Sequence, residues 1–552
     1  MNKSIIVLFC WLILISSCSV VLSEITTKSD LGTKIYISND NGLDGDGCGI
    51  DVAKQCKTIQ YAINIFKNTH TIKRYNRRSD EDDEYVYSYP PLEISMDCGL
   101  YDSLGNSDIN LFELDITLSS QQQQQQCDVL INNYNTNNTI FTVIKDPSHS
   151  QRDSASRFQN ENNKNKDHTS QTLIHFKNLK STYAKSNNHF GSFLYANTFH
   201  KELIIRIDID QCEFNSSVPS HTTTIPESSL IAISGHYDAE AVEPRTFISI
   251  RKSKFSNHQG SNYKQLSSAG VLSIRSKAND VDLSVDSSVF SANTGGVISI
   301  SSCHSFQLAN SLISNNSQNN SAVHISNCKR FAIANTVFQS NRAKIGGALS
   351  ITKSRGDIDS TQFKENTASS LGGAIHLSGQ THLSMRNTLF DGNIASQGGA
   401  IMSESRSSLE ISQTNFTNNR AIVFGPSLYC SYSTVDIQGH DCIFQDNYHL
   451  GKYPKQIYQG VDCMNVLHEE PTCTFKGTNQ TTLDEILSNG NCSRGWTNFF
   501  FDHFMTIICV SMVLIFALAF FTLASMSEKN LQAHRDHINQ NQKTKPMDKK
   551  NK

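Results

Sequence analysis

The clearest structural pattern in the sequence is a three-part repeat. Gly372–Leu377 reads GGAIHL, Leu383–Met385 reads LSM and Phe390–Asn393 reads FDGN. The same three motifs recur from about residue 280 to about residue 450. Gly-Gly pairs stand at 295/296, 346/347, 372/373 and 398/399; each precedes a small apolar residue, after which apolar positions alternate. Self-similarity at a fixed period predicts stacked repeats rather than a single globular core.

The second half of each repeat is stricter than the first. Apolar residues stand at positions x and x+2, a large apolar residue at x+7 and an asparagine at x+10, with slight deviations in two of the seven repeats. The large apolar residues follow one another at intervals of 23 to 28 residues. The asparagines are Asn293, Asn316, Asn341, Asn366, Asn393, Asn419 and Asn447.

This spacing predicts coils that stack on one another. Alternation with a period of two indicates strands with one inward face. A period near 25 is too short for a propeller blade and contains no long helical stretch. Stacked coils about 4.8 Å apart bury each apolar stripe against the next coil. We expect the asparagines to form one structural column at a sharp corner, where asparagine tolerates a left-handed backbone and can bond to its neighbours above and below.

The Gly-Gly-Ala-Ile motif, followed about fifteen residues later by Phe-x-x-Asn, resembles the repeats of chlamydial polymorphic outer membrane proteins. It is also similar to the wider pectin-lyase-like β-helix superfamily and to repeats in amoebal surface proteins. The Gln121–Gln126 tract and the asparagine-rich middle resemble a social amoeba's proteins. The resemblance covers roughly a third of the chain and implies an all-β, right-handed parallel β-helix. It implies little about function.

The two ends predict a secreted-pathway membrane protein. Residues 1–23 have the basic flank, short apolar stretch and small residues of a signal peptide, which competes with an uncleaved anchor. Phe504–Met526 carries no charge and, as a helix, is long enough to cross a bilayer. Basic residues dominate the 527–552 tail. The positive-inside rule therefore predicts a single-pass type I protein, at the plasma membrane or in endosomal membranes, with a cytosolic tail.

The region between these ends divides by composition. We expect an N-terminal cap and first coils over 24–130, divergent coils with polar insertions over 131–270, and regular coils over 271–450. A cysteine-containing cap or stalk then covers 451–502, and the transmembrane helix covers 503–526. In the cap, Lys34–Ser38 predicts a strand and Cys56–Ile63 a short amphipathic helix. Asp40, Asp44 and Asp46 could bind calcium, but their spacing favours a solvated turn.

Modification sites agree with an oxidising compartment. Twelve of the 15 cysteines lie between the signal peptide and the membrane segment. Cys303 and Cys328 occupy the same place in consecutive coils, so they either form a disulfide or stack as free thiols. The spacings of the last five cysteines do not fit a zinc site. Acceptor sequons for N-glycosylation stand at Asn137, Asn215, Asn315, Asn319, Asn415, Asn479 and Asn491.

The sequence contains no convincing catalytic motif. The paired carboxylates and Gly-His-Gly motif of β-helix pectin hydrolases do not occur. Asp357 and Asp359 share a predicted face, but without an acidic partner in the next coil we interpret them as solvated. The net charge of −3 gives no nucleic-acid signature. We expect no enzyme activity, cofactor or metal.

The favoured function is therefore recognition. We expect a membrane glycoprotein whose rod binds a glycan or protein ligand outside the cell, in adhesion or as a receptor. The alternatives are a diverged polysaccharide lyase or glycoside hydrolase on the same scaffold, and a purely structural coat component. A groove lined by carboxylates together with basic residues would favour the enzyme, and a groove without carboxylates would favour binding.

Overall fold

A computed structural model of the 552-residue chain shows a stack of short parallel strands. It describes residues 33–45, 47–70, 73–78, 83–102, 104–120, 128–132, 139–144, 169–181, 192–197, 203–215, 229–235, 245–259, 270–276, 281–317, 321–438, 442–450, 461–463, 473–477, 525–527 and 529–535. The predicted signal peptide lies outside these residues, as does the predicted membrane segment apart from Ser525 and Met526. Within the described part, no helix is long and apolar enough to cross a membrane.

One coil has four sides, which we call faces I to IV. In the coil that follows Gly372 and Gly373, Ile375–Ser378 forms face I and His382–Arg386 forms face II. Leu389–Asp391 then forms face III and Ile394–Gln397 forms face IV, before a glycine pair returns the chain to face I. Each of these strands pairs in parallel, in register, with its equivalent one coil further on. This is the pairing of a parallel β-helix.

The faces continue over most of the described chain. The strands of face I are Ile109–Asn110, Phe141–Val143, Leu194–Asn197, Ile231–Ser234, Leu272–Arg275, Leu349–Thr352, Ile375–Ser378, Ile401–Glu404, Leu428–Ser431 and Val461–Cys463. Those of face II are Thr33–Ile37, Leu92–Met96, Asp115–Ser120, Thr169–Lys177, Leu203–Asp210, Thr246–Arg251, Val281–Asp286, Arg355–Asp359, His382–Arg386, Ser408–Ser412, Ser433–Gln438 and Cys473–Gly477. Ile298–Ala309 and Val323–Ala334 each run through both faces.

Faces III and IV are built from shorter strands. Face III contains Gly99–Tyr101, Val129–Ile131, Lys180–Ser181, Glu213–Asn215, Lys254–Ser256, Val289–Ser291, Leu312–Ser314, Val337–Gln339, Gln362–Lys364, Leu389–Asp391, Asn415–Thr417 and Ile443–Gln445. Face IV contains Arg342–Ile345, Thr367–Leu371, Ile394–Gln397, Arg420–Phe424 and Tyr448–His449.

The beginning of the stack carries a helical cap. Helix Ile59–Thr69 begins three residues later than the sequence predicts and runs six residues further, with Thr58 as its N-cap. It buries Ile59, Ala62, Ile63 and Phe66 against the first coils. A disulfide between Cys48 and Cys56, which the sequence analysis did not predict, precedes the helix. Lys73–Arg78 and Asp83–Ser88 form an antiparallel hairpin, and Leu104–Asn106 is a short 3-10 helix.

Parallel pairing also continues beyond the predicted last regular coil. Val461–Cys463 pairs with Leu428–Ser431 on face I. Cys473–Gly477 pairs with Ser433–Gln438 on face II. Two strands of the segment assigned from the sequence to a cap or stalk therefore add to the stack.

The core is a column of large apolar side chains. On face III, Phe338, Phe363, Phe390, Phe416 and Phe444 stack with ring centroids 4.7–4.9 Å apart and ring planes within 6° of parallel. Neighbouring rings belong to neighbouring coils, so the spacing of the rings follows the spacing of paired strands. The coils therefore share one continuous interior and stabilise one another through it.

A second buried column lines the corner between faces III and IV. All seven predicted asparagines lie in it, and each is at most 1% exposed. The left-handed backbone expected of these asparagines lies one residue before them, as at Glu365 with φ +54°. The Nδ2 group of each of the first six asparagines donates to Oδ1 of the asparagine in the next coil at 2.9–3.1 Å. That Oδ1 also accepts from the preceding asparagine's backbone N–H, as from Asn366 to Asn393 at 3.0 Å. Asparagine thus satisfies buried backbone and side-chain groups together.

The glycine pairs close the corner between faces IV and I. The first glycine of a pair, such as Gly372 with φ +61°, adopts a left-handed backbone. The second, such as Gly373, lies so close to the next coil that an added Cβ would meet the carbonyl oxygen of Gly399. The first position excludes a side chain both by its backbone conformation and by contact with the Ile375 carbonyl oxygen, and the second by contact with the next coil.

Candidate binding site: a basic corner of the coil stack

The outer side of face I is largely closed. Ser350, His376, Met402 and Tyr429 point outward from successive strands, yet each is less than 9% exposed. The glycine corners fold back over this row: a Cβ on Gly425 would lie 2.7 Å from the Tyr429 Cβ. Face I of these coils therefore offers little surface to a ligand.

His324 and His376 alternate with inward apolar neighbours, which predicts from the sequence that both point to solvent; the covering corrects that prediction. Both lie on the outer side of face I, but His324 is half-buried and His376 is 6% exposed. His376 Nε2 lies 3.1 Å from Glu404 Oε1, one coil away. Burial lowers the pKa of His324, and the neighbouring His376 lowers it further. The alternation correctly predicted the side of the strand, but not the chain segment that covers that side.

Face II is open and carries a row of basic side chains at its first edge. Strand register places Arg330, Arg355 and His382 side by side in three successive coils, pointing outward. All three side chains are exposed. The row continues into Ser305 on one side and Ser408 on the other. The basic side chains of this row are therefore confined to three coils.

The corner between faces I and II adds two lysines to this row. Lys329 and Lys353 are exposed, and Lys353 adopts a left-handed backbone with φ +49°. Together with Arg330, Arg355 and His382 they form what we call the basic corner. An open groove of about 400 Å³ lies at the basic corner. The residues that line it are Cys328, Lys329, Lys353, Ser354, Arg355, Gly379, Gln380 and His382.

The floor of the groove is covalently fixed. Cys303 and Cys328 form a disulfide between consecutive coils, with their Cα atoms 4.5 Å apart. Of the two states that the sequence left open, the structure therefore contains the bridge. The Cys328 backbone N–H also donates to the Ser354 hydroxyl of the next coil at 3.0 Å. Three coils are thus linked directly beneath the basic side chains.

The cations of the basic corner have no ion-pair partner among the described residues. Other exposed cations on the stack do have partners: Lys254 lies 3.0 Å from Glu213, and Arg386 lies 2.8 Å from Asp359. No carboxylate lines the groove. The basic corner is therefore an uncompensated patch of positive charge on a protein whose net charge is −3.

The carboxylates of face II do not form a paired acid–base site around Asp357 and Asp359. Asp357 lies between Ala332 and Ser384 of the adjacent coils, neither of which is acidic. Asp359 accepts from Arg386 at 2.8 Å and from Asn387 at 3.1 Å. These bonds lower the pKa of Asp359, although partial burial opposes them. Asp359 is therefore held as a carboxylate by its neighbours.

The acidic loop near the N-terminus has a structural role at Asp44. Its carboxylate accepts from the backbone N–H groups of Lys57 and Thr58 and from the Thr58 hydroxyl, at 2.8–3.0 Å. It thereby supports the start of helix Ile59–Thr69. Asp46 lies outside the described residues. Within the part that the structure describes, no group of three or more histidine, cysteine or carboxylate side chains is placed to hold a metal.

The predicted glycosylation sites fall on different parts of the coils. Asn315 is exposed at a corner with φ +54°. Asn215 and Asn415 are half-exposed on face III, and the Asn215 side chain accepts from Asn257 at 3.0 Å. Asn137, Asn319, Asn479 and Asn491 lie outside the described residues.

The basic corner was not identified from the sequence. Its members come from three repeats and stand at outward positions, which the repeat pattern leaves free to vary. A signal did exist: aligning the repeats on their asparagines places Arg330, Arg355 and His382 near one another, and the Lys329-Arg330 pair stands out locally. All three stand eleven residues before the asparagine of their own repeat, so this alignment needs no gap.

Comparison with known proteins supports the repeat. Residues 360–378 and 387–404 match the family model of the Chlamydia polymorphic membrane protein repeat. A search of curated protein sequences finds no match to the chain. The matched segments lie in the most regular coils and include Phe363, Asn366, Phe390 and Asn393. The repeat match and the parallel sheets together fit a β-helix built from repeats like those of the polymorphic membrane proteins.

Proposed function

We propose that the chain is a surface-exposed, adhesin-like membrane protein that presents a right-handed parallel β-helix for recognition and does not catalyse a reaction. The observation that carries the proposal is the open groove at the basic corner, within one coil of the segments that match the polymorphic membrane protein repeat. The name of the matched repeat, that of polymorphic membrane proteins, suggests a role at a membrane surface. A rigid stack with one open flank is suited to binding an extended ligand.

Binding rather than catalysis is favoured by the chemistry of the groove. β-Helix hydrolases need two carboxylates for general acid–base work, whereas the lining residues here are cationic or neutral. A cationic lining can hold an anionic ligand through charge-assisted hydrogen bonds. The diverged lyase or hydrolase remains the alternative outcome of the experiment below.

We further propose that the chain is anchored by one span over residues 503–526, with its coils outside the cell or in the endosomal lumen. The support is the uncharged segment Phe504–Met526 and the basic tail that follows it. The same orientation makes Asn315 a glycosylation site, since this sequon stands exposed on a corner. An epitope placed after residue 24 should then stain on intact cells, and one at the C-terminus only after permeabilisation.

Attachment of cells tests recognition directly. The full chain is expressed on cells that lack it, and the cells are allowed to settle on surfaces coated with extracellular polysaccharides or proteins. We expect more attachment than with the same cells without the chain. Equal attachment by both would contradict the proposal. Shortened polysaccharide in the medium would instead support the enzyme.

A further inference from the structure

We propose that the basic corner binds a linear polysaccharide that carries sulfate or carboxylate groups, with one anionic group held per coil. The inference deepens the proposed function, because it names the ligand class of the same groove. Its premises are the number of cations, their spacing and the absence of compensating charge.

The first premise is electrostatic. Four permanently charged side chains, Lys329, Arg330, Lys353 and Arg355, stand within two consecutive coils, and His382 follows in the third. Two unit charges about 5 Å apart repel by about 0.8 kcal/mol even in water, and by more at a protein surface. A bound polyanion removes this repulsion. It also replaces the partners that the described residues do not supply.

The second premise is geometric. Paired strands place equivalent residues about 4.8 Å apart along the stack. This step is close to the length of one pyranose unit in an extended polysaccharide. A chain lying along the coil axis would therefore present successive anionic groups to Arg330, Arg355 and His382. Each arginine can hold a carboxylate or sulfate with two parallel N–H donors.

The third premise separates a polysaccharide from a nucleic acid. Single-stranded nucleic acids are held by stacking on aromatic side chains as well as by charge. No phenylalanine, tyrosine or tryptophan lines this groove. Duplex DNA binders spread cations over a wide face, whereas here the outward row beyond the basic corner turns to serine, and Asp357 and Asp359 lie on the same face. Recognition by charge along one narrow line fits a polyanionic glycan better.

The test uses the full chain in a non-ionic detergent and three immobilised polysaccharides: sulfated dextran, polygalacturonate and uncharged dextran. We expect binding to one or both charged probes and none to the uncharged one. Raising the salt from about 0.1 M to about 1 M shortens the screening length from about 10 Å to about 3 Å and should abolish the binding. Absence of binding to both charged probes at low salt would overturn the inference.

Matched variants locate the site. Arg330→Ser with Arg355→Ser removes two cations at a row where Ser305 and Ser408 already stand in neighbouring coils. We expect affinity to fall roughly tenfold, since each exposed charged contact contributes a factor of up to about five. Lys344→Ser with Lys364→Ser makes the same charge change on faces IV and III and should leave affinity within about twofold.

The other outcomes are equally decisive. Equal weakening by both double variants, or equal affinity for duplex DNA at the same salt, would refute a polysaccharide site at this corner. Unfolding of the arginine variant is checked by its thermal midpoint, and the single Arg355→Ser change then serves as the second variant. Cell attachment that survives loss of the basic corner would preserve the proposed function while removing this inference. Polyanion binding without cell attachment would do the reverse.

Discussion

Removing the amide of Asn366 should open the stack locally. In the native chain, its Oδ1 accepts from the Asn341 backbone N–H at 3.1 Å and from Asn341 Nδ2 at 2.9 Å. Its Nδ2 donates to the Phe338 carbonyl at 3.0 Å and to Asn393 Oδ1 at 3.1 Å. Asn366→Ala therefore takes four hydrogen bonds from a site that is 0% exposed.

The magnitude follows from the groups left without a partner. The Asn341 N–H, one Asn341 Nδ2 hydrogen and the Phe338 carbonyl each lose the partner that Asn366 provides. A buried polar group without a partner costs about 1–3 kcal/mol. A water molecule entering the small cavity would recover part of this cost, so the lower half of the range applies. We expect a loss of about 3–6 kcal/mol for opening of this coil.

Native-state hydrogen exchange is the appropriate assay, because a repeat stack opens locally and need not unfold in one step. The Asn341 amide should exchange between about 10² and 10⁴ times faster in the variant, at about 1.4 kcal/mol per factor of ten. Gln362→Ala, which removes an amide from the outer side of the same coil, should change this rate less than about threefold. Acceleration below about tenfold in Asn366→Ala would refute the role given to the column.

Three further predictions concern other parts of the stack. Phe363→Ala should cost about 3–5 kcal/mol in the free energy of unfolding, measured by urea denaturation, but Phe363→Ile less than about 1.5, because Ile313 fills the equivalent position of another coil; similar costs would contradict a column held by apolar volume. Gly373→Ala should lower the thermal midpoint far more than Gly45→Ala, where an added Cβ meets nothing. Burial raises the pKa of Asp115 to about 6. This lies above its unfolded value of about 3.9, so stability should fall by on the order of 2 kcal/mol as pH rises from about 4 to about 6. Asp115→Asn should remove that slope in thermal midpoints measured at both pH values, and an unchanged slope would contradict the assignment.

The interior of the stack was predictable because each coil repeats the same demands. Phe390 and Asn393 recur at fixed positions, since a large apolar side chain must stack on the next and a corner amide must bond to the next amide. Any residue that breaks either column leaves a cavity or an unpaired buried group. These free-energy costs restrict the residue types allowed at both positions, so the pattern can be recognised in the sequence alone.

The exterior was less predictable because no such cost acts there. His376 follows the strand alternation but is covered by the adjacent corner, which the period alone does not reveal. Arg330 and Arg355 are brought together by strand register, but at an outward position where no packing cost fixes the residue type. The Cys48–Cys56 disulfide depends on the path of a loop rather than on any repeat. The candidate site lies among features of this kind.

The asparagine column has a consequence for how the molecule can change over time. Every internal member offers one acceptor to the coil before it and one donor to the coil after it, so each coil ends in the same chemistry with which it began. A segment of about 25 residues can therefore be duplicated or deleted in frame without orphaning a buried amide. Such tandem copying would lengthen or shorten the rod in whole steps. It would also carry any outward side chains of the copied segment to a new height above their neighbours.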